Sequence, residues 1–410
     1  MRALAGRRVL VTGGTGFIGG RVVEKLVLEH GARVRVLASS YARTARVARF
    51  DVDLVLGDVA DQAIVRRAAE GCDVIVHCAY GSRGPDREKR RVTVEGTRAV
   101  LDAAIAHGIR CVVHVSTMVV YGIGIEGRLD ETEPRRATGI AYADTKREAE
   151  ELVLRYSGEH GAPVTVIQPT AVYGPYAPSW TERVIASLKT GRVILVDGGT
   201  GLSNPVYVDD VADAILLAAV RDEALGQAFL IASGERVTWR EFYGRFEAML
   251  GISATVDMSR DDAKAHYARS RRRRLLLAEL WALVREDGAT RERLLRTREL
   301  DLLLQLLRPL AARPAMRPLV AGLKRRLTST GRSTTSAPDA PASLPKRIQP
   351  THPKQVDFLA AKTDVSIEKA RRLLGYEPAF SLDRGMALTE AYLRWAGMLP
   401  DTDDANTACA

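Results

Sequence analysis

Residues Arg8–Gly20 read RVLVTGGTGFIGG. Val9, Leu10 and Val11 make the short apolar run that a strand buried on both faces requires. Gly13, Gly14 and Gly16 follow at once, and then Ile18, Val22, Val23, Leu26 and Val27 recur at helical spacing. A strand, a tight glycine turn and a helix are therefore expected in succession. The spacing Gly13-x-x-Gly16-x-x-Gly19 suits a bound diphosphate. Gly13 can take backbone angles closed to other residues, Gly16 puts no Cβ in the way, and Gly19 lets the helix pack closely on the strand. The helix N-terminus adds free N–H groups and a positive dipole end. A structural turn without a ligand would use the same glycines. The flanking buried strand and amphipathic helix favour dinucleotide binding.

Outward from this turn, 410 residues suffice for two or three structural units with a large core. No N-terminal apolar run suggests a signal peptide, and no stretch of about 18 uncharged apolar residues suggests a membrane span. Cys72, Cys78, Cys111 and Cys409 show no CxxC pairing, so free thiols in a reducing cytoplasm are expected. No metal site is expected.

Arg33–Leu37 is the second strand. An NAD-binding unit usually ends this strand with an acid that holds the adenosine ribose. Here the end is Ala38-Ser39-Ser40, followed by Arg43 and Arg46, which leans toward NADP. Asp53–Gly57 is a third strand, and Asp58 beyond it would bond the adenine amino group or cap a helix from Gln62. Asp73–Cys78 is a fourth strand, with His77 packed and Ala79, Tyr80 and Gly81 at its cofactor-facing edge. A helix follows through Val92, Val94, Thr97, Val100, Leu101 and Ala104, and Arg110–Val115 is a fifth strand. Strand and helix patterns have alternated five times, which argues for a parallel doubly wound sheet.

Ser116 and Thr117 close the fifth strand, where open α/β sheets place ligands. Tyr142 and Lys146 share one face of a helix over 141–156. A neighbouring ammonium favours the phenolate, so the pair can exchange a proton with a substrate oxygen while hydride moves to or from nicotinamide.

Together these motifs resemble the extended short-chain dehydrogenases/reductases, and the chain looks like a member of their NAD-dependent epimerase/dehydratase family. The resemblance rests on Gly13–Gly19, Asp58, Thr117 with Val120-Tyr121-Gly122, and Tyr142 with Lys146. It continues through 168–175, 207–212 and 368–378, and covers about 1–250 and 356–397. It implies a Rossmann-type α/β sheet with a smaller C-terminal substrate lobe and a helical insertion. It also implies Thr117, Tyr142 and Lys146 as the catalytic set. The implied cofactor-binding residues begin with Gly13, Thr15, Gly16, Phe17, Ile18, Gly19, Ser39, Arg43, Asp58 and Val59. They continue with Cys78, Ala79, Tyr80, Thr93, Val115, Tyr142, Lys146, Pro169, Ala171 and Val172. Family members often carry an asparagine where Thr93 stands here.

Other departures narrow the reaction. Sugar-nucleotide 4,6-dehydratases carry Asp-Glu after the catalytic Thr, and here Met118 and Val119 can exchange no proton. Sugar-nucleotide enzymes tend to place an arginine shortly before the 207–210 segment, but Gly201–Pro205 holds no cation. The arginine segment often found ahead of 368–378 is also missing, and Lys354 is the nearest cation. Two enzyme classes are expected. One is an epimerase or reductase of a sugar nucleotide or related polyol. The other is a reductase or dehydrogenase of a less polar alcohol or ketone, resembling 3β-hydroxysteroid dehydrogenases and dihydroflavonol reductases. A non-enzymatic NAD(P)-binding scaffold is the third reading, and the intact Thr117, Tyr142 and Lys146 set argues against it.

The expected domains are a cofactor domain over 1–170 with a returning segment near 205–232, and a lobe from 171–250 and 356–400. A basic helical insertion occupies 252–327, and a flexible linker 328–355. The net charge of +10 concentrates in that insertion, where Arg269 and Arg271–Arg274 precede leucine-rich helices. Packing on the lobe, a homodimer contact, or an anionic membrane surface through 269–327 would each use such residues. No nucleic-acid reader motif is present. The expected location is the cytoplasm, with peripheral membrane contact only if the insertion binds lipid rather than packing on the protein.

Overall fold

The computed structural model describes residues 4–272 and 347–400. The expected leucine-rich helices, Arg273, Arg274 and the linker over 328–346 lie outside the described residues. The chain divides into one unit of 1–264 with 344–410 and a second of 265–343. Of the second, the described residues 265–272 are helical.

The first unit begins with β1 (Arg8–Thr12), α1 (Phe17–Leu28), β2 (Arg33–Ala38), β3 (Val52–Leu56) and α2 (Gln62–Ala69). It continues with β4 (Val74–His77), α3 (Asp86–Arg90), α4 (Gly96–Ala106), β5 (Cys111–Val115) and β6 (Gly127–Leu129). After α5 (Ala141–His160) come β7 (Val164–Pro169), β8 (Ala171–Tyr173), α6 (Arg183–Thr190) and β9 (Val193–Val196). Then follow β10 (Pro205–Tyr207), α7 (Val208–Ala218), β11 (Ala228–Ile231), α8 (Trp239–Leu250) and β12 (Thr255–Met258). The described chain resumes with α9 (Pro353–Ala360), β13 (Thr363–Val365), α10 (Glu368–Leu374) and α11 (Leu382–Trp395).

Seven strands form one parallel sheet in the order β11-β7-β5-β4-β1-β2-β3. The order reverses between β1 and β4, and ligands bind at such a switch point, beyond the strand C-termini. Helices cover both faces, which is why β4 and β5 are buried throughout. Burying each Val or Leu of these strands contributes about 1.5–3 kcal/mol. α1 turns Val22, Val23 and Leu26 to the core. On its other side Arg21 and Lys25 reach Asp209 and Asp213 of α7 at 2.6 and 2.9 Å.

The lobe is built from three small parallel pairs, β8 with β10, β9 with β12 and β6 with β13. Two expected boundaries are corrected here. β12 pairs with β9, so the lobe runs past 252, where the insertion was expected to begin. The linker expected over 328–355 ends too late. Arg192 N–H donates to Arg347 O at 2.8 Å and Gln349 N–H to Arg192 O at 2.9 Å, and α9 starts at Pro353. Pro350 and Pro353 made this stretch look unstructured, yet proline at a first helical position is pre-organised for the helix. Among the described residues, no helix is long and apolar enough to cross a membrane.

Candidate active site

The three glycines of the first turn do different work. Gly13 has φ +69°, and a Cβ there would lie 2.7 Å from Ala79 N, so the turn presses against the end of β4. A Cβ on Gly19 would lie 2.4 Å from Gly13 O, which packs α1 onto the turn. At Gly16 a Cβ would meet only Gly13 O, at 3.2 Å, a tight contact but far milder than those at Gly13 and Gly19. The first backbone bond of α1 runs from Gly20 N–H to Gly16 O, at 3.0 Å. Gly16 supplies no side-chain cap and the first turn holds no acid, so the N–H groups of Phe17 and Ile18 stay free. With Thr15 alongside, this cradle fits a dinucleotide diphosphate.

Beyond β2, Ser39 and Arg43 are exposed, and the Arg43 side chain has no bonded partner among the described residues. Arg46 is engaged instead. Its Nη1 donates to Gly16 O and Phe17 O at 3.0 and 2.9 Å, and its guanidinium stacks 4.5 Å from the Tyr176 ring centre. Asp58 accepts from Ala60 N–H at 2.9 Å and pairs with Arg91. Desolvation works to raise the Asp58 pKa, but Arg91 and Ala60 outweigh it and hold the carboxyl below its ordinary value. The alternative of Asp58 as cap of the Gln62 helix is corrected, because Asp61 accepts from Ala63 and Ile64 N–H. Val59 is buried where Gly96 approaches it.

Thr117 follows β5, and its hydroxyl accepts from Val119 N–H at 3.5 Å. Tyr142 opens α5 and presents 45% of its surface. Desolvation of the hydroxyl, with Tyr80 at a 5.9 Å ring distance, pushes its pKa up to about 12, while Thr117 beside it works downward. Lys146, one turn on, is only 4% exposed. Its Nζ donates to Val115 O at 2.6 Å and lies 5.5 Å from the Tyr80 ring centre. Burial lowers the ammonium to about 8, opposed by Cys78 and by Glu150 a further turn along α5. The expected lowering of the phenol by Lys146 is corrected: Lys146 gives one N–H to a backbone carbonyl and keeps its charge, while desolvation raises the phenol, which stays protonated at neutral pH.

Thr93 accepts from Gly81 N–H at 2.9 Å and so fixes the loop that carries Cys78, Ala79 and Tyr80. Burial keeps the Cys78 thiol neutral, pushed up to about 12. His77 bonds Thr12 and Thr97 at 2.6 and 3.0 Å, and burial pushes it down to about 3, so it is a packed neutral ring. Pro169 ends β7, Ala171 and Val172 lie in β8, and Ala171 lines the cavity described next.

A cavity of about 670 Å³ opens on Thr117 and Tyr142. Its walls are mainly apolar, with Met118, Val119, Ile123, Ile140, Trp180, Val184, Ile194, Phe358 and Leu359. Trp180 is held by Trp239 and Phe358 at ring distances of 5.1 and 6.2 Å. Thr170 and Ala171 join the lining from the end of the sheet, and Arg183, Gln349 and Lys354 from the lobe. Trp180, Arg183, Tyr243 and the stretch 349–351 escaped the sequence reading, and Lys354 enters it only as the nearest cation. Only Pro353, as a helix start, offered a signal. The Gly201–Pro205 stretch faces inward. Leu202 N–H donates to Ala361 O and the Asn204 side chain to Thr363 O, so it ties strands together.

Residues 9–232 match the model of the NAD dependent epimerase/dehydratase family. The 4-hydroxy-2-methyl-3-oxo-4-farnesyl-3,4-dihydroquinoline-1-oxide ketoreductase of Stigmatella aurantiaca is 33% identical over 256 residues, 61% of this chain and 75% of that one. The 2-alkyl-3-oxoalkanoate reductase of Stenotrophomonas maltophilia is 30% identical over 295 residues, 68% of this chain and 85% of that one. Among solved structures, the dTDP-glucose 4,6-dehydratase of Streptomyces venezuelae with NAD bound superposes with a TM-score of 0.64 at 22% identity. It covers 96% of this chain and 98% of that one. At that identity the likeness speaks for the fold alone.

Proposed function

The chain belongs to the NAD dependent epimerase/dehydratase family, as an NAD(P)-binding oxidoreductase or epimerase, and we propose that it reduces a ketone on a largely apolar substrate. The observation that carries this is the cavity. Tyr142 and Thr117 stand at one side of it, while Met118, Val119, Trp180 and Phe358 supply apolar wall. Such walls take an apolar body by removing its surface from water, at about 25 cal/mol per Å².

A bound nicotinamide supplies the hydride. Tyr142, protonated at neutral pH, gives its proton to the carbonyl oxygen as that oxygen gains charge. The Thr117 hydroxyl orients the same oxygen. Lys146, charged below about pH 8, keeps a positive charge under the site. Met118 and Val119 offer no acid or base to eliminate water, which argues against a dehydratase. Two of the relatives are reductases that act, by their names, on oxo groups of alkyl- or prenyl-bearing molecules. We favour NADPH because Ser39 and Arg43 stand exposed beyond β2 with no acid to repel a 2′-phosphate.

The test follows NADPH oxidation over alkyl 3-oxo esters, sterol ketones and UDP-sugars. Steady NADPH consumption with the apolar ketones is expected. Conversion of a UDP-sugar without net cofactor turnover would assign an epimerase instead.

A further inference from the structure

We propose that the substrate carries an anionic group, and that Arg183 receives it. This rests on the ketone reading above and adds the polar end of the molecule.

Among the described residues, the cavity lining contains two cations, Arg183 and Lys354, and no Asp or Glu. Lys354 donates its Nζ to Thr138 O at 2.6 Å, so its hydrogen bonding is partly met, though no carboxylate neutralises it. Arg183 is the first residue of α6, and Val184 and Ser187 of the same helix line the cavity with it. It is exposed, and its side chain has no hydrogen bond, ion pair or ring contact among the described residues. Several other arginines of this unit are paired, among them Arg21 with Asp209, Arg91 with Asp58, and Arg135 with Glu150. The adjacent acid, Glu182, is turned away and accepts from the Tyr392 hydroxyl at 2.9 Å.

An unneutralised guanidinium at the solvent-facing side of the cavity is free to pair with an anionic group of a ligand, though water there screens its field. Its fork matches a carboxylate or a phosphate ester. An apolar body therefore lies along Met118, Ile123 and Trp180, with the reacting carbonyl at Tyr142 and the anion at Arg183.

The experiment uses the full chain with NADPH, a medium-chain oxo acid, the methyl ester of that acid, and UDP as a diphosphate probe. Wild-type kcat/KM should favour the acid over its ester, and Arg183→Gln should cut that preference by about tenfold or more. Arg183→Lys should keep part of it. Equal kcat/KM for acid and ester in the wild type overturns the inference and leaves the ketone reading standing. If neither ketone is reduced but UDP binds, and binds more weakly in Arg183→Gln, the anion site stands and the ketone reading fails. If no ketone is reduced and UDP does not bind, both fail.

Discussion

The glycine turn and the substrate cavity differ in how the chain builds them. The turn takes its parts from Gly13–Gly19, where each residue acts on a near neighbour in sequence or on the adjoining end of β4. The cavity takes its wall from 117–123, from 170–194, from Tyr243 and from 349–359. A local device is set by backbone sterics and can be broken by one Cβ. An assembled device depends on where the sheet and lobe bring distant segments, and a single substitution changes what it accepts before it changes whether it forms.

The comparison is tested most sharply at the residue that faces both regions. Tyr142→Phe should lower turnover by about 10²–10⁴-fold, since a general acid is lost, while titration with NADPH shows unchanged affinity. Full activity in that variant would move the proton donor elsewhere.

The turn itself separates fold from ligand. Gly19→Val puts side-chain atoms where a Cβ already lies 2.4 Å from Gly13 O, so thermal melting should show a large loss of stability. Gly16→Trp meets little of the fold and should melt close to wild type, yet bind no cofactor. Equal destabilisation in the two variants would mean that Gly16 serves packing rather than a ligand.

A pH profile probes the floor that the two regions share. The folded Lys146 pKa is lowered from its ordinary value to about 8, so its charge is present below that pH and lost above it. Because kcat/KM reports groups of the free enzyme, it should fall as pH rises through about 8. A profile flat to pH 9.5 would remove Lys146 from the mechanism. The smallest effect is expected at the adenosine end. Arg43→Glu should reduce the NADPH-over-NADH affinity ratio by about tenfold. An unchanged ratio there would leave the cofactor preference to other residues.

Much of the cofactor region was legible because its signals are short-range. The apolar run of β1, the glycine spacing and the one-turn separation of Tyr142 and Lys146 can each be read without knowing the rest of the chain. Reading failed where a side chain had two equivalent local uses. Arg43 and Arg46 look alike in sequence, yet Arg46 closes on the Gly16 and Phe17 carbonyls while Arg43 stays free. Asp58 and Asp61 both precede the same helix, and only Asp61 caps it. The stretch 347–355 looked like linker because its backbone bonds go to a strand more than 150 positions earlier.

From sequence alone came the alternating α/β architecture, the family, the glycine turn, and Thr117, Tyr142 and Lys146 as candidates. Periodicity and backbone sterics act over a few residues, and a chain carries them wherever it goes. Tertiary structure alone decided that Lys146 is tied to the Val115 carbonyl, that the Tyr142 phenol rises, and that Arg91 holds Asp58. It alone put Trp180, Arg183 and Phe358 around one cavity. Those outcomes depend on desolvation and on partners brought together through space. Both are properties of the packed lobe and sheet rather than of any stretch within them.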